Sequence, residues 1–137
     1  MDFTYLLTPG AAWFFAGTTK FLINSVRSRR WAFGQIGYGG LPSNHTAIVT
    51  SMATLIGLKE GVDHPAFGVA LALAVIVMLD ARSLRMQIGK HAQTINLLVK
   101  NNSYQVPILR EKIGHTSIEI LAGAIVGMSV AVAMAQI

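Results

Sequence analysis

The sequence predicts an all-α integral membrane protein, a bundle of about four transmembrane helices with an amphipathic interfacial helix between the third and the fourth. Hydrophobic residues make up 53% of the 137 residues, charged residues only 12%, and the mean hydropathy is +0.52. A water-soluble domain would need more polar side chains to cover its surface. The basic residues lie in the gaps between apolar runs, as in membrane proteins. The length predicts one domain, residues 1–137.

The net charge of +5 does not indicate a nucleic-acid partner. The basic residues form no polar helix face and are not interleaved with aromatic residues, as they are in nucleic-acid-binding proteins. The chain has no cysteine, which excludes thiolate chemistry and cysteine-based metal sites. No basic region precedes the first apolar run, where Asp2 stands, so we expect no cleavable signal peptide.

The first two predicted helices flank a polar segment. The first runs from Phe3 to Ile23, about 20 residues and long enough to cross a membrane, with Lys20 near its end. The second runs from about Ser43 to Leu58. Ser43 or Asn44 just before an apolar run is typical of a helix start.

The next apolar segments predict a third helix, an interfacial helix and a fourth helix. The third covers Ala66 to Leu79, with Pro65 at its first position, and ends in charged residues. From Gln87 to Val99 apolar and polar residues alternate in an amphipathic pattern, which we place at the membrane interface or in the mouth of the bundle. The fourth helix runs from about Ser117 to Ala135.

Four spans would bring most polar groups of interest to one membrane face. The ends of the first and third helices and the starts of the second and fourth must emerge on the same side. Ten of the eleven lysines and arginines lie on this side and only Lys59 on the other. The positive-inside tendency then predicts a cytoplasmic site, an N-terminus outside and, in a bacterium, location in the inner (plasma) membrane.

The stretch Gly39 to Thr46 has the composition of a phosphate cradle. Two glycines and Pro42 precede a helix start, whose free backbone N–H groups and dipole favour an anion. His45 adds a proton donor or acceptor at the same place. The alternative interpretation is a capped turn without a ligand.

His115 and Glu119 form a second candidate pair. An acid inside an apolar helix is costly to bury and usually has a partner or a function. A separation of four residues places both side chains on one helix face, where Glu119 can accept a proton from one imidazole nitrogen. The other nitrogen is then free as a nucleophile or base. The alternative is a buried polar pair that only fixes helix packing.

These motifs together resemble the type 2 phosphatidic acid phosphatase superfamily, and within it the divergent branch of small membrane proteins related to acid phosphatases and vanadium haloperoxidases. The resemblance extends from about Lys20 to Gly127. It rests on four features in order: Lys20 and Arg27 seven residues apart, Gly-Gly-Leu-Pro-Ser-Asn-His at 39–45, Asp-Ala-x-x-x-Arg at 80–85, and Gly-His-Thr at 114–116 followed by Glu119.

The resemblance implies a hydrolase that removes phosphate from a lipid phosphomonoester or diphosphate, resembling phosphatidate, phosphatidylglycerophosphate or a polyprenyl phosphate, through a phosphohistidine. His115 would be the nucleophile, Glu119 its orienting acid and His45 the acid for the leaving oxygen. Asp80 would orient an arginine, and the scheme requires no metal or other cofactor. The implied phosphate ligands are Lys20, Arg27, Ser43, Asn44, Arg82, Arg85 and Arg110.

Three points stay open at the level of sequence. The third-motif arginine is Arg85, with a long insertion before His115, or Arg110, which lies five residues before His115. The same residues also suit a phosphotransferase, or a non-catalytic protein that binds an anionic lipid or a partner. The expected partners are the membrane and a lipid phosphate. The small-residue faces, Ala12 with Ala16 and Gly123 with Gly127, predict close helix contacts and permit a homodimer as well.

Overall fold

The computed structural model describes residues 3–29, 31, 40–101 and 106–137, and within them it is helical without strands. The all-α prediction is therefore confirmed for this part of the chain. Gly39 of the predicted cradle lies outside the described residues. The elements are α1 (Thr4–Ser28), α2 (Asn44–Lys59), α3 (Pro65–Leu79), a π-helical turn (Asp80–Leu84), α4 (Arg85–Asn101) and α5 (Ser117–Met134).

The helix starts follow from local capping. Ser43 caps α2, with its hydroxyl oxygen accepting from the N–H of Thr46, and Pro65 occupies the first turn of α3. The N–H of Ser43 also donates to the main-chain oxygen of Glu119 at 2.9 Å, which ties the start of α2 to α5. The predicted starts of these two helices agree with the structure to within one residue.

Helices α1, α2 and α5 pack through small residues. Ala12, Ala16 and Ala47 are fully buried. A Cβ atom at Gly123 would collide with Ser43, and a Cβ atom at Gly127 would collide with α2 one turn further on. Close approach of helix backbones through such residues is common in membrane proteins. Both small-residue faces are thus used for helix packing inside the protomer, and the homodimer stays a prediction.

Helices α3 and α4 form one continuous helical stretch of 37 residues, Pro65–Asn101. The third helix ends at Leu79, as predicted, and α4 follows it, but the two are joined by the π turn without a break in the helical stretch. The chain between them contains no glycine or proline, and the N–H of Arg85 donates to the oxygen of Asp80, five residues earlier, in a π turn. The charged residues are therefore carried within the helix, and π turns of this kind occur often at functional sites.

Two of the described helical stretches, Pro65–Asn101 and Ser117–Met134, are long and apolar enough to cross a membrane. Their apolar side chains are mostly exposed, including Leu71, Ile76 and Leu121. Large exposed apolar surfaces of this kind suit a lipid environment. The count of four spans and the interfacial position of α4 stay predictions.

Candidate active site

A cavity of about 270 Å³ lies where the end of α1, the start of α2, the start of α4 and the segment before α5 meet. Six of the predicted site residues line it, from four separate parts of the chain, together with four residues that had not been assigned to the site. The convergence expected from the topology of four helix ends is present in the structure. The lining residues are Trp13, Lys20, Asn44, His45, Ile48, Arg85, Arg110, Ile113, Gly114 and His115.

His115 is held by Glu119 at the wall of this cavity. Its Nδ1 lies 3.2 Å from Glu119 Oε2, and only 7% of the histidine is exposed. The same carboxylate oxygen accepts from the N–H of Thr116 at 2.9 Å, and the Thr116 hydroxyl accepts from the N–H of Glu119, so the two residues form a capping box. With the proton on Nδ1, His115 keeps a lone pair on Nε2.

The geometric reason expected for this pair was wrong, although the contact exists. His115 precedes the helix, because Thr116 is the N-cap and α5 begins at Ser117. The two side chains meet because Glu119 turns back over the first turn of α5, where its negative charge also suits the helix dipole. The sequence signal for this arrangement is a threonine followed three residues later by a glutamate, Thr116 and Glu119.

The backbone around His115 is fixed against the long helix. The N–H of His115 donates to the oxygen of Ala81 at 2.9 Å, within the π turn. Gly114 has a φ of +98°, and a Cβ atom there would lie 3.0 Å from Met86. A side chain at residue 114 would therefore be strained and crowded, which explains a glycine directly before His115.

The surroundings of His115 favour its neutral form. Burial lowers the pKa of His115, and the positive charges of Lys20 and Arg85 lower it further, while the hydrogen bond and charge of Glu119 act in the opposite direction. The net effect is a pKa below the ordinary value of histidine. The imidazole is then uncharged at neutral pH, as a nucleophile must be.

Lys20 supplies a buried cation. Only 6% of its surface is exposed, and in the described part of the chain its ammonium group makes no salt bridge or hydrogen bond, although the negative charge of Glu119 acts on it from a greater distance. A buried charge without a partner is costly and usually has a functional reason. The cavity that Lys20 lines therefore favours an anionic guest.

Both candidate third-motif arginines line the cavity. Arg85 donates through Nε to Asp80 Oδ2 at 2.8 Å, an ion pair that orients the guanidinium within the π turn. Arg110 donates through Nε to the oxygen of Lys112 at 3.1 Å. The fold brings Arg85 and Arg110 to the same cavity, and the role of each as a phosphate ligand stays a prediction.

Three predicted phosphate ligands are not on the cavity wall. Arg27 is exposed on the last turn of α1, seven residues and about 10 Å beyond Lys20. Arg82 is exposed on the π turn. Ser43 is fully buried, and its hydroxyl oxygen accepts from Thr46, so its side chain serves as a helix cap.

Asn44 and Trp13 add features that the sequence did not define. Asn44 Oδ1 is buried without a hydrogen-bond partner in the described structure, beside the cavity that the residue lines. Such an acceptor calls for a donor from a ligand or water. Trp13 forms an apolar wall with Ile48 and Ile113. It stands two helical turns before Lys20, so helical periodicity could have placed both on one face.

Comparison with known proteins identifies the family of the chain. A family model described as "Divergent PAP2 family" matches residues 1–130. The chain belongs to this family. It is 33% identical over 146 residues to the "Uncharacterized membrane protein YuiD" of Bacillus subtilis (strain 168), a match that covers 95% of this chain and 92% of that protein. No solved structure matches the chain. The resemblance predicted from the motifs is confirmed, and the chain is a membrane protein of the divergent PAP2 family.

Proposed function

We propose that the protein is a membrane lipid phosphatase that releases phosphate from a phosphorylated or diphosphorylated lipid through a phosphohistidine on His115. One observation carries the proposal. His115, held by Glu119, lines the same cavity as the basic residues Lys20, Arg85 and Arg110. Membership of the divergent PAP2 family supports the same chemistry.

The first step transfers the phosphoryl group to the enzyme. His115 Nε2 attacks phosphorus, and the bond between phosphorus and the leaving oxygen breaks. Burial and the charges of Arg85, His115 and Lys20 lower the pKa of His45, and the negative charge of the bound phosphate acts in the opposite direction and favours the protonated form. In that form His45 donates its proton to the leaving oxygen, which departs as an alcohol or as a lipid phosphate. The three cations neutralise the remaining phosphate oxygens, since phosphoryl transfer depends mainly on positioning and charge stabilisation.

The second step returns the enzyme to its starting state. His45, now neutral, accepts a proton from a water molecule whose oxygen attacks phosphorus. The phosphorus–nitrogen bond breaks, inorganic phosphate leaves, and Nε2 regains its lone pair. Glu119 keeps the Nδ1 proton in place during both steps and stabilises the imidazole as it carries the phosphoryl group.

A lipid substrate agrees with the surroundings of the cavity. The two apolar helices that suit a membrane are both linked to it, α3–α4 through Arg85 and α5 through Glu119. Trp13 and Ile48 give the cavity an apolar wall beside its charged one. The excess of lysine and arginine on this side favours an active site on the cytoplasmic face.

Substitution of the proposed nucleophile tests the function. His115→Ala is expected to lower phosphate release from phosphatidate, phosphatidylglycerophosphate or polyprenyl phosphates at least about 10³-fold, because it removes the proposed acceptor of the phosphoryl group. Purified protein in detergent, assayed for free phosphate, provides the measurement. His91→Ala is the matched control, since His91 is exposed on α4 and does not line the cavity.

Two outcomes would contradict the proposal. Equal turnover in His115→Ala and wild-type protein would exclude the phosphohistidine route. Absence of turnover in the folded wild-type protein on all of these lipids, with retained binding of them, would instead favour a non-catalytic protein that binds anionic lipids.

A further inference from the structure

The segment that leads into His115 lies as a strap along α4. We define the strap as residues 109–115. One end is fixed where Leu109 meets Asn96, and the other where the N–H of His115 meets Ala81. The strap and the helix therefore run in opposite directions.

A stripe of small residues on the long helix receives the strap. Ala81, Gly89, Ala92 and Asn96 recur at helical spacing and are all buried. A Cβ atom at Gly89 would collide with the main-chain oxygen of Glu111. The strap thus covers this stripe, whereas larger apolar side chains of α4, such as Ile88 and Leu97, are exposed.

The strap has little slack. Fifteen residues of helix from Ala81 to Asn96 rise about 22 Å, at 1.5 Å per residue. Six residues of chain from Leu109 to His115 extend over at most about 20–22 Å. The strap is therefore close to extended between its two anchors, Leu109 at Asn96 and His115 at Ala81. Arg110 lies next to Leu109, so the anchor at Leu109 determines the position of its backbone.

Asn96 makes three hydrogen bonds at one end of the strap. Its Oδ1 accepts from the N–H of Leu109 at 2.9 Å, and its Nδ2 donates to the oxygen of Leu109 and to Glu111 Oε1, each at 2.8 Å. The side chain is 8% exposed. The asparagine amide thereby satisfies both backbone groups of Leu109, which a purely apolar residue would leave unpaired.

We propose that Asn96, which lies outside the cavity, is a positioning residue that fixes Arg110 in the phosphate site by clamping the strap at Leu109. The proposal rests on the proposed function for the identity of the ligand. His115 has its own anchors at Ala81 and Glu119, so Asn96 acts on the cation and not on the nucleophile.

Amide hydrogen exchange tests the clamp without reference to catalysis. In Asn96→Ala we expect the N–H of Leu109 to exchange at least about tenfold faster, with the N–H of His115 still protected. Gln93→Ala, an exposed position on the same helix, is the matched control and should change neither rate. A Leu109 amide that exchanges equally fast in wild-type and Asn96→Ala protein would overturn the proposal.

Binding of inorganic phosphate then tests whether the clamp acts through Arg110. Arg110→Gln should weaken the affinity about tenfold, Asn96→Ala should weaken it by up to the same factor, and the double variant should be no weaker than Arg110→Gln alone. Independent, multiplicative effects, or unchanged affinity in Asn96→Ala, would contradict the proposal.

These outcomes separate the clamp from the enzymatic function. Wild-type protein that binds phosphate with this coupling but hydrolyses no lipid phosphate would support the clamp and contradict the proposed reaction. If Asn96→Ala also loses protection at His115, it has unfolded. Asn96→Asp then replaces it: its carboxylate cannot donate to the oxygen of Leu109 or to Glu111 and repels Glu111, so the same coupling to Arg110→Gln in phosphate binding is expected, and unchanged phosphate affinity in Asn96→Asp would contradict the proposal.

Discussion

The two polar ends of the bundle each contain a lysine, and the two lysines differ in their burial and in their contacts. At the end away from the cavity, Lys59 donates to the hydroxyl of Thr4 at 3.4 Å and lies 5.7 Å from the ring centroid of Tyr5. Tyr5 in turn donates to the carboxylate of Glu60. At the cavity end, Lys20 is more deeply buried and has no such partner in the described structure.

This difference separates a structural contact from a site kept for a ligand. A fold selected for stability alone would pair or expose both lysines, since an unpaired buried charge is costly. The cavity end also leaves Asn44 Oδ1 without a donor. We infer that an anion pairs with Lys20 at the cavity end and that Asn44 Oδ1 accepts from a water molecule or a hydroxyl group, whereas the lysine at the other end has its partners within the protein.

Of the two lysine substitutions, Lys20→Met should lower turnover far more than Lys59→Met. Lys20→Met removes a cation from the phosphate, so we expect phosphate release to fall about 10²–10³-fold. Lys59→Met should leave it within about twofold, because no substrate group reaches that end. Initial rates on the best lipid phosphate provide the comparison, and equal losses in the two variants would contradict it.

The same two variants should move stability in opposite directions. Lys20→Met replaces a buried charge that makes no salt bridge or hydrogen bond by an apolar side chain, and we expect a gain of about 1 kcal/mol in the free energy of unfolding. Lys59→Met loses the contact with Tyr5 and should cost about 0.5–1 kcal/mol. Denaturant titrations in micelles without phosphate measure both. A loss of stability in Lys20→Met would indicate a structural role for that lysine.

The smallest expected effect is a change in the titration of His115. Burial, Lys20 and Arg85 lower its pKa, while Glu119 raises it. The neutral form is the nucleophile, so the acid limb of the rate profile should lie below the ordinary pKa of histidine. In Lys20→Met the pKa of His115 should rise, and in Glu119→Gln it should fall. NMR titration of the imidazole detects these shifts, and Lys59→Met should show none.

The sequence predicted the parts of the site that depend on local signals and on topology. Ser43 before an apolar run and Pro65 after a loop marked two helix starts close to where they occur. Successive helices that run in opposite directions place Lys20, His45 and His115 at one end of the bundle. That prediction depended only on the number and order of the helices. The individual roles of these residues stay proposals.

The sequence could not predict features that depend on contacts between distant segments. The charges at Asp80 and Arg82 suggested a helix end, but nothing there breaks a helix, and the π turn carries the chain onward. The alternation of apolar and polar residues over Gln87–Val99 predicted an interfacial helix, which stays a prediction. It gave no sign that the small residues Gly89 and Ala92 form a stripe that receives another segment of the chain. The strap that covers this stripe, fixed by Asn96, appears only in three dimensions.

Direct detection of the covalent intermediate tests the central claim. Wild-type protein mixed with its lipid phosphate and quenched in alkali, which preserves phosphohistidine, should carry phosphate on His115, as identified by mass spectrometry. His115→Ala should carry none, and His91→Ala should match the wild-type protein. Phosphate release at the wild-type rate without any label on His115 would contradict the account.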